Sequence, residues 1–247
     1  MAAYDRALTR FSPDGKLFQI DYAFEAVKRG SAVVAVTGTD CVVIGVERKA
    51  VAKLQDPRTM YKIVKLDENV TMAFAGLNAD ARVLVEKVRI ECQSYRLTCE
   101  EAPSLEYVAR HLARVQQKFT QRGGVRPFGI SSVLCGFGSK GEPKIYQVDP
   151  SGTYFAWKAD AIGGRNFKSM REMLEREWAE EMTEAEALKL TITCLLEVVD
   201  SGSKNMEIVV VRPGAKPETL AAADIDPVVA AIVAAAEEAK AAPAASS

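Results

Sequence analysis

Strand-like and helix-like stretches alternate in groups along this chain, and that order constrains its fold more than any other feature. Two Val- and Ile-rich runs, 31–36 and 41–46, are joined by Thr37-Gly38-Thr39-Asp40, a hairpin signal. A second pair, 62–66 and 70–75, flanks Asp67-Glu68-Asn69. Two helices follow with no strand between them. The first is predicted from Asp80 to about Tyr95, with Ala81, Leu84, Val85, Val88 and Cys92 on one face. The second covers 104–121, with Leu105, Val108, Leu112, Val115 and Phe119 on one face. Strands resume at 130–137, 144–148 and 154–157. Another helix pair comes next, at about 166–178 and from the capping box Thr183-Glu184-Ala185-Glu186 to Asp200. A strand at 206–211 precedes a last helix, for which Asp226 is the predicted N-cap and Pro227 the first helical residue. Its face is Ile225, Val228, Val229, Ile232 and Val233. This alternation predicts an α+β protein, two packed antiparallel sheets with helices outside.

No linker divides the 247 residues, so one domain is expected over 1–247. Within it, residues 1–16 form a polar arm, 17–30 a helix, 31–240 the core and last helix, and 241–247 a frayed Ala-rich tail. Ser12-Pro13-Asp14-Gly15 suits a type I turn ahead of that first helix. Leu17, Ile20, Phe24 and Val27 make one apolar stripe, while Phe18, Tyr22 and Ala26 lie on the opposite side. Such a helix is either covered from two directions, by its own domain and a partner, or buried in its own core. Periodicity does not separate the two.

Composition excludes several functions. Hydrophobic residues at 48% and charged residues at 26% describe a folded chain, and a net charge of -1 argues against a polyanion binder. No nucleic-acid partner is expected. The single histidine, His111, leaves no multi-histidine metal site, and a triad would have to use it. Flanked by Arg110 and Arg114, it reads as a partly solvated structural residue. The five cysteines include no C-x-x-C, and Cys41, Cys135 and Cys194 lie in apolar runs, as buried thiols in a reducing compartment do. No signal-like apolar core or long apolar span occurs, so a soluble intracellular protein away from membranes is expected. Gly136-Phe137-Gly138-Ser139-Lys140-Gly141 matches G-x-G-x-x-G, but Pro143 and a strand follow it where a dinucleotide site needs a helix. It reads as a hairpin turn. No cofactor and no metal are expected.

One constellation carries chemistry. Ser31 starts a strand, Glu47 ends the next, and Lys62 lies on a third, so a hydroxyl, an acid and a lysine can converge across a sheet. An N-terminal nucleophile works this way when its own free α-amine is the base. Thirty residues precede Ser31, so its nitrogen is an amide and the base is missing unless the Gly30-Ser31 bond is cut. That cut would make the chain an amidohydrolase using Ser31. By spacing alone Lys62 is otherwise a surface lysine on a strand.

At these residues the chain resembles the alpha-type subunits of the 20S proteasome. The resemblance is carried by Tyr4-Asp5-Arg6, Phe11-Ser12-Pro13-Asp14-Gly15, Leu17-Phe18-Gln19-Ile20-Asp21-Tyr22-Ala23 and Glu25-Ala26-Val27-Lys28-Arg29-Gly30-Ser31. Ala75-Gly76-Leu77-Asn78-Ala79-Asp80-Ala81-Arg82, Arg126-Pro127-Phe128-Gly129 and Asp149-Pro150-Ser151-Gly152-Thr153 extend it, to about residue 235. Two further segments, 51–56 and 153–159, match one paralogue of the ring above the others. The chain departs from the family at Phe24 and in its Ala-rich tail.

The resemblance implies a four-layer αββα sandwich of the Ntn-hydrolase type. It also implies no peptidase activity, a place in a seven-membered ring of neighbouring alpha subunits stacked on beta-ring subunits, and residence in cytoplasm and nucleus. Tyr4, Asp5, Pro13 and Tyr22 would correspond to gate residues, Tyr22 and Pro13 bracing a neighbour's arm. Lys62, with Gly30 and Leu77, would line a pocket that takes the C-terminal carboxylate of a regulatory particle.

Overall fold

The computed structural model describes residues 10–48, 54–56, 59–199 and 205–241. Its elements run α1 (Phe18–Lys28), β1 (Val33–Thr37), β2 (Val42–Glu47), β3 (Ile63–Asp67), β4 (Val70–Gly76), α2 (Asn78–Cys99) and α3 (Leu105–Gln121). They continue as β5 (Ile130–Phe137), β6 (Pro143–Val148), β7 (Tyr154–Trp157), β8 (Ala159–Ile162), α4 (Phe167–Glu177), α5 (Glu184–Leu196), β9 (Met206–Val211), β10 (Glu218–Thr219) and α6 (Ala222–Ala241). Every strand pair is antiparallel, in two sheets of order β10-β9-β2-β1-β8 and β3-β4-β5-β6-β7.

Alternation of side chains along each strand builds the layers. In β1 and β2, Val33, Ala35, Val42, Ile44 and Val46 face inward, where they meet Ala73, Ala75, Val133, Cys135 and Ile145 of the second sheet. The intervening residues Val34, Val36 and Val43 point outward to Met170 and Leu174 of α4 and to Leu190, Ile192 and Leu195 of α5. On the far side Met72, Phe74, Ile130 and Leu134 receive Leu84, Val85 and Val88 of α2 and Val108 and Leu112 of α3. The expected αββα sandwich is therefore present, and its inner strands β1, β2, β4, β5 and β9 are buried on both faces.

Helix ends follow local chemistry. The expected capping box at Thr183 and Glu186 forms at the start of α5, and Ser104 caps α3 by accepting from the Tyr107 N–H. α2 is longer than its apolar stripe at both ends, and Glu100 in the left-handed region, φ 60°, terminates it. The last helix is a correction. It begins at Ala222, before Asp226 and Pro227, with the Asp224 carboxylate reaching back to the Ala221 N–H. Pro227 is the sixth residue of that helix, so the hydrogen bond an N–H there would make to the Ala223 carbonyl is given up. The short strands β8 and β10 have no counterpart among the elements expected from the sequence.

α1 packs on β4 and β5 through buried Ala23 and Val27, whereas Phe18, Ile20 and Phe24 are only half-buried. Its own domain thus covers one side only. The G-x-G-x-x-G stretch is the β5–β6 turn, closed by the Gly138 N–H on the Glu142 carbonyl at 2.8 Å. Cys41, Cys92, Cys135 and Cys194 are buried and Cys99 is exposed. His111 on α3 is half-buried, 3.4 Å from Glu91, with burial lowering its pKa first and Arg114 and Lys118 lowering it further.

Candidate functional site

Where α1 ends and the two sheets meet, a cavity of about 300 Å³ opens. Ser31, Glu47, Lys62, Gly30 and Leu77 all line it. The structure thus gathers the nucleophile-like constellation and the pocket residues into one place.

Each side chain is held by a different element. Ser31, 4% exposed, sits in the short connection from α1 to β1. Glu47 ends β2, and its Oε2 accepts the Ala32 N–H at 2.9 Å, while the Glu47 N–H donates to the Ala32 carbonyl at 2.9 Å. The carboxylate is thereby engaged with a peptide amide that has a proton to give and no lone pair with which to act as a base. Lys62 immediately precedes β3 and is 9% exposed, so the surface reading from spacing alone is wrong. Its Nζ donates to Asn78 Oδ1 at 2.6 Å and lies 4.9 Å from the Phe74 ring centroid. That partial burial makes the ammonium a strong centre for an incoming anion, because little water screens it.

Backbone meets backbone in the wall at Gly30 and Gly76. A Cβ on Gly30 would stand 2.4 Å from the Gly76 nitrogen, and one on Gly76 would stand 2.1 Å from the Gly129 oxygen. Gly76 also has φ +114°, a conformation that side-chain-bearing residues rarely adopt. Gly129 is fixed in turn by Asp80, which accepts its N–H at 2.9 Å and receives the Arg126 fork at 2.6 and 2.8 Å. Burial opposes the Asp80 charge, but the Arg126 hydrogen bonds and the Gly129 amide outweigh it and hold the carboxyl below its ordinary range.

A second hollow of about 470 Å³ shares Arg29, Gly30, Gly76 and Leu77 with the first and extends along α1 to Tyr22. Tyr22 is 48% exposed and directed toward that side. Pro13 is exposed in the turn closed by the Gly15 N–H on the Ser12 carbonyl at 2.9 Å, and it lines neither opening. Tyr4 and Asp5 lie outside the described residues. Asn78, the Lys62 partner, is a site residue that the sequence did not reveal, although it stands beside Leu77 in a segment that carries the resemblance.

The segments that build this corner also carry the kinship. The family described as "Proteasome subunit" matches residues 27–211, and the N-terminal signature of A-type proteasome subunits matches residues 4–26. The chain belongs to the proteasome subunit family. Its relatives include "Proteasome subunit alpha type-7" of Cicer arietinum, 55% identical over 247 residues and covering 98% of each chain. The protein of that name from Solanum lycopersicum is 55% identical over 244 residues, 97% of this chain and 93% of the relative. That of Dictyostelium discoideum is 56% identical over 211 residues, 85% of this chain and 84% of the relative. The cavity at the end of α1 is therefore a feature of an alpha-type proteasome subunit, and the signature covering 4–26 spans most of that helix.

Proposed function

We propose that this alpha-type subunit is a non-catalytic member of the proteasome alpha ring that controls substrate entry and docks regulatory particles. The observation that carries the reading is the position of Ser31, which follows α1 and Gly30 in the chain and so has a peptide amide for its nitrogen. With the peptide bond at Gly30-Ser31 intact, no free amine is available to activate a hydroxyl.

Two features support the docking role. Lys62 presents a nearly buried positive centre to a cavity of about 300 Å³, a size suited to the end of a chain. The adjoining hollow and the uncovered side of α1 supply apolar surface for neighbouring alpha subunits. In this reading the partners are flanking alpha subunits, beta-ring subunits and the C-terminal tails of regulatory particles. The gate residues are Tyr4, Asp5, Pro13 and Tyr22, and the working compartments are cytoplasm and nucleus.

The test is Lys62→Glu in the assembled particle. Removing one partner of a buried charge pair costs roughly 2–5 kcal/mol, so tail binding at this pocket should fall by more than tenfold with ring assembly intact. Equal affinity of variant and wild type removes Lys62 from the site. Mass spectrometry of the same particle gives the second arm: a mature chain beginning at Ser31 would overturn the non-catalytic reading.

A further inference from the structure

Away from the Lys62 corner, a polar cluster is enclosed where β8, β6 and α4 meet. Asp160 on β8 is fully buried, and among the described residues its carboxylate has the Ala161 N–H and the Arg171 guanidinium beside it without a well-aligned hydrogen bond to either oxygen. Arg171 of α4 brings its Nη2 to 2.9 Å from Asp160 Oδ1. The same guanidinium donates to the Ala161 carbonyl at 3.0 Å and to Gln147 Oε1 of β6 at 3.3 Å, and lies 5.2 Å from the Trp157 ring. Gln147 passes the chain on, donating to Asp149 Oδ1 at 2.9 Å, where the Ser131 hydroxyl of β5 also donates at 2.9 Å. One network therefore spans both sheets and a covering helix.

The charges do not balance. Two carboxylates, Asp160 and Asp149, face one guanidinium. Opposite Asp160 on β1 stands Ala35, which adds no charge. On the outer side, Lys158 is engaged with Glu180, and Glu175 of α4 adds a further acid around an opening of about 350 Å³. A surplus charge in a dry site is expensive, and the cheapest remedy is a proton.

We infer that the Asp160–Arg171–Asp149 cluster is a proton-linked latch: protonated, it holds β7, β8 and α4 together, and on losing its proton it loosens that edge of the sandwich. Burial, first, pushes Asp160 up to about 7, with Arg171 and the Ala161 N–H opposing and Asp149 adding to the rise. Asp149 is raised as well, again by burial first. The folded state thus holds a proton that the unfolded chain releases near the ordinary carboxylate value of about 4. The latch's contribution is complete below that value and is lost as pH rises through about 7.

The experiment uses the full-length chain carrying Trp178→Phe, which leaves Trp157 as the sole indole reporter. Its emission between pH 5.5 and 8.5 should follow one sigmoid centred near 7. Asp160→Asn should abolish the sigmoid and keep the low-pH spectrum, whereas Asp149→Asn should shift the midpoint to lower pH. His111→Gln should leave the curve in place. Hydrogen exchange of β7 and β8 in the chain with both tryptophans, corrected for intrinsic rate, should be faster at pH 8 than at pH 6. A flat wild-type profile in both measurements overturns the inference, as does a transition that survives Asp160→Asn or vanishes with His111→Gln. Should Asp160→Asn not fold, an unmoved midpoint in Asp149→Asn overturns it equally.

Discussion

Asp80 accepts three hydrogen bonds, two from the Arg126 fork and one from the Gly129 N–H. Replacing it by Ala strands a buried backbone donor, and the expected loss is about 1–3 kcal/mol, read as a lower urea midpoint with an unchanged slope. The pH sign is opposite to that of Asp160. Because the folded Asp80 pKa is lowered, its contribution is present above the unfolded carboxylate value and disappears as acid protonates the folded group. Acid unfolding of Asp80→Ala should therefore be less steep below pH 4 than that of the wild type. At this scale the sequence was partly legible. Ser31, Glu47 and Lys62 converge as their strand positions suggest. The Asp80–Arg126 pair was not legible, because nothing in a spacing of 46 residues announces a fork. Asp160 was equally hidden, a lone acid in a short stretch of small residues.

Among elements, β2 and α5 approach closely because Gly45 has no side chain. A Cβ there would stand 2.6 Å from Thr191 Cγ2 and 2.7 Å from Leu195 Cδ1, both on fully buried residues of α5. Gly45→Ala should cost about 1–3 kcal/mol through overpacking, seen as a lower thermal midpoint, and Leu195→Ala in the same chain should recover part of it. Elements with strong periodicity or caps are readable in advance, which is why α5 starts at its expected capping box and α3 within one residue of its expected start. β8 carries a weak signal because Ala159-Asp160-Ala161-Ile162 is four residues long with one β-branched residue. β10 has only two residues and takes its conformation from β9. The start of α6 differs from the expected one because Asp226-Pro227 imitates an N-terminus five residues inside the true one.

For the whole molecule, the layer order follows from the grouping of strands and helices, so the sandwich was legible without any coordinates. What the grouping does not convey is that one side of α1 remains uncovered, since periodicity treats core and partner surfaces alike. In the proposed ring the segment ahead of α1 lies over the pore. Deleting residues 2–10 should then raise basal peptide hydrolysis by the assembled particle several-fold, measured with a short fluorogenic peptide and no activator. Unchanged hydrolysis in every gate-deleted background would count against the arm as a barrier.

Gly30 and Gly76, two of the residues that line the Lys62 recess, press main chain against main chain where neither could carry a side chain. A wall of side chains can swing, swap rotamers or be trimmed by substitution, and a recess bounded that way can shut itself. Along that stretch this one has no such hinge, so any change in its outline falls to side chains such as Met60, Leu77 and Asn78.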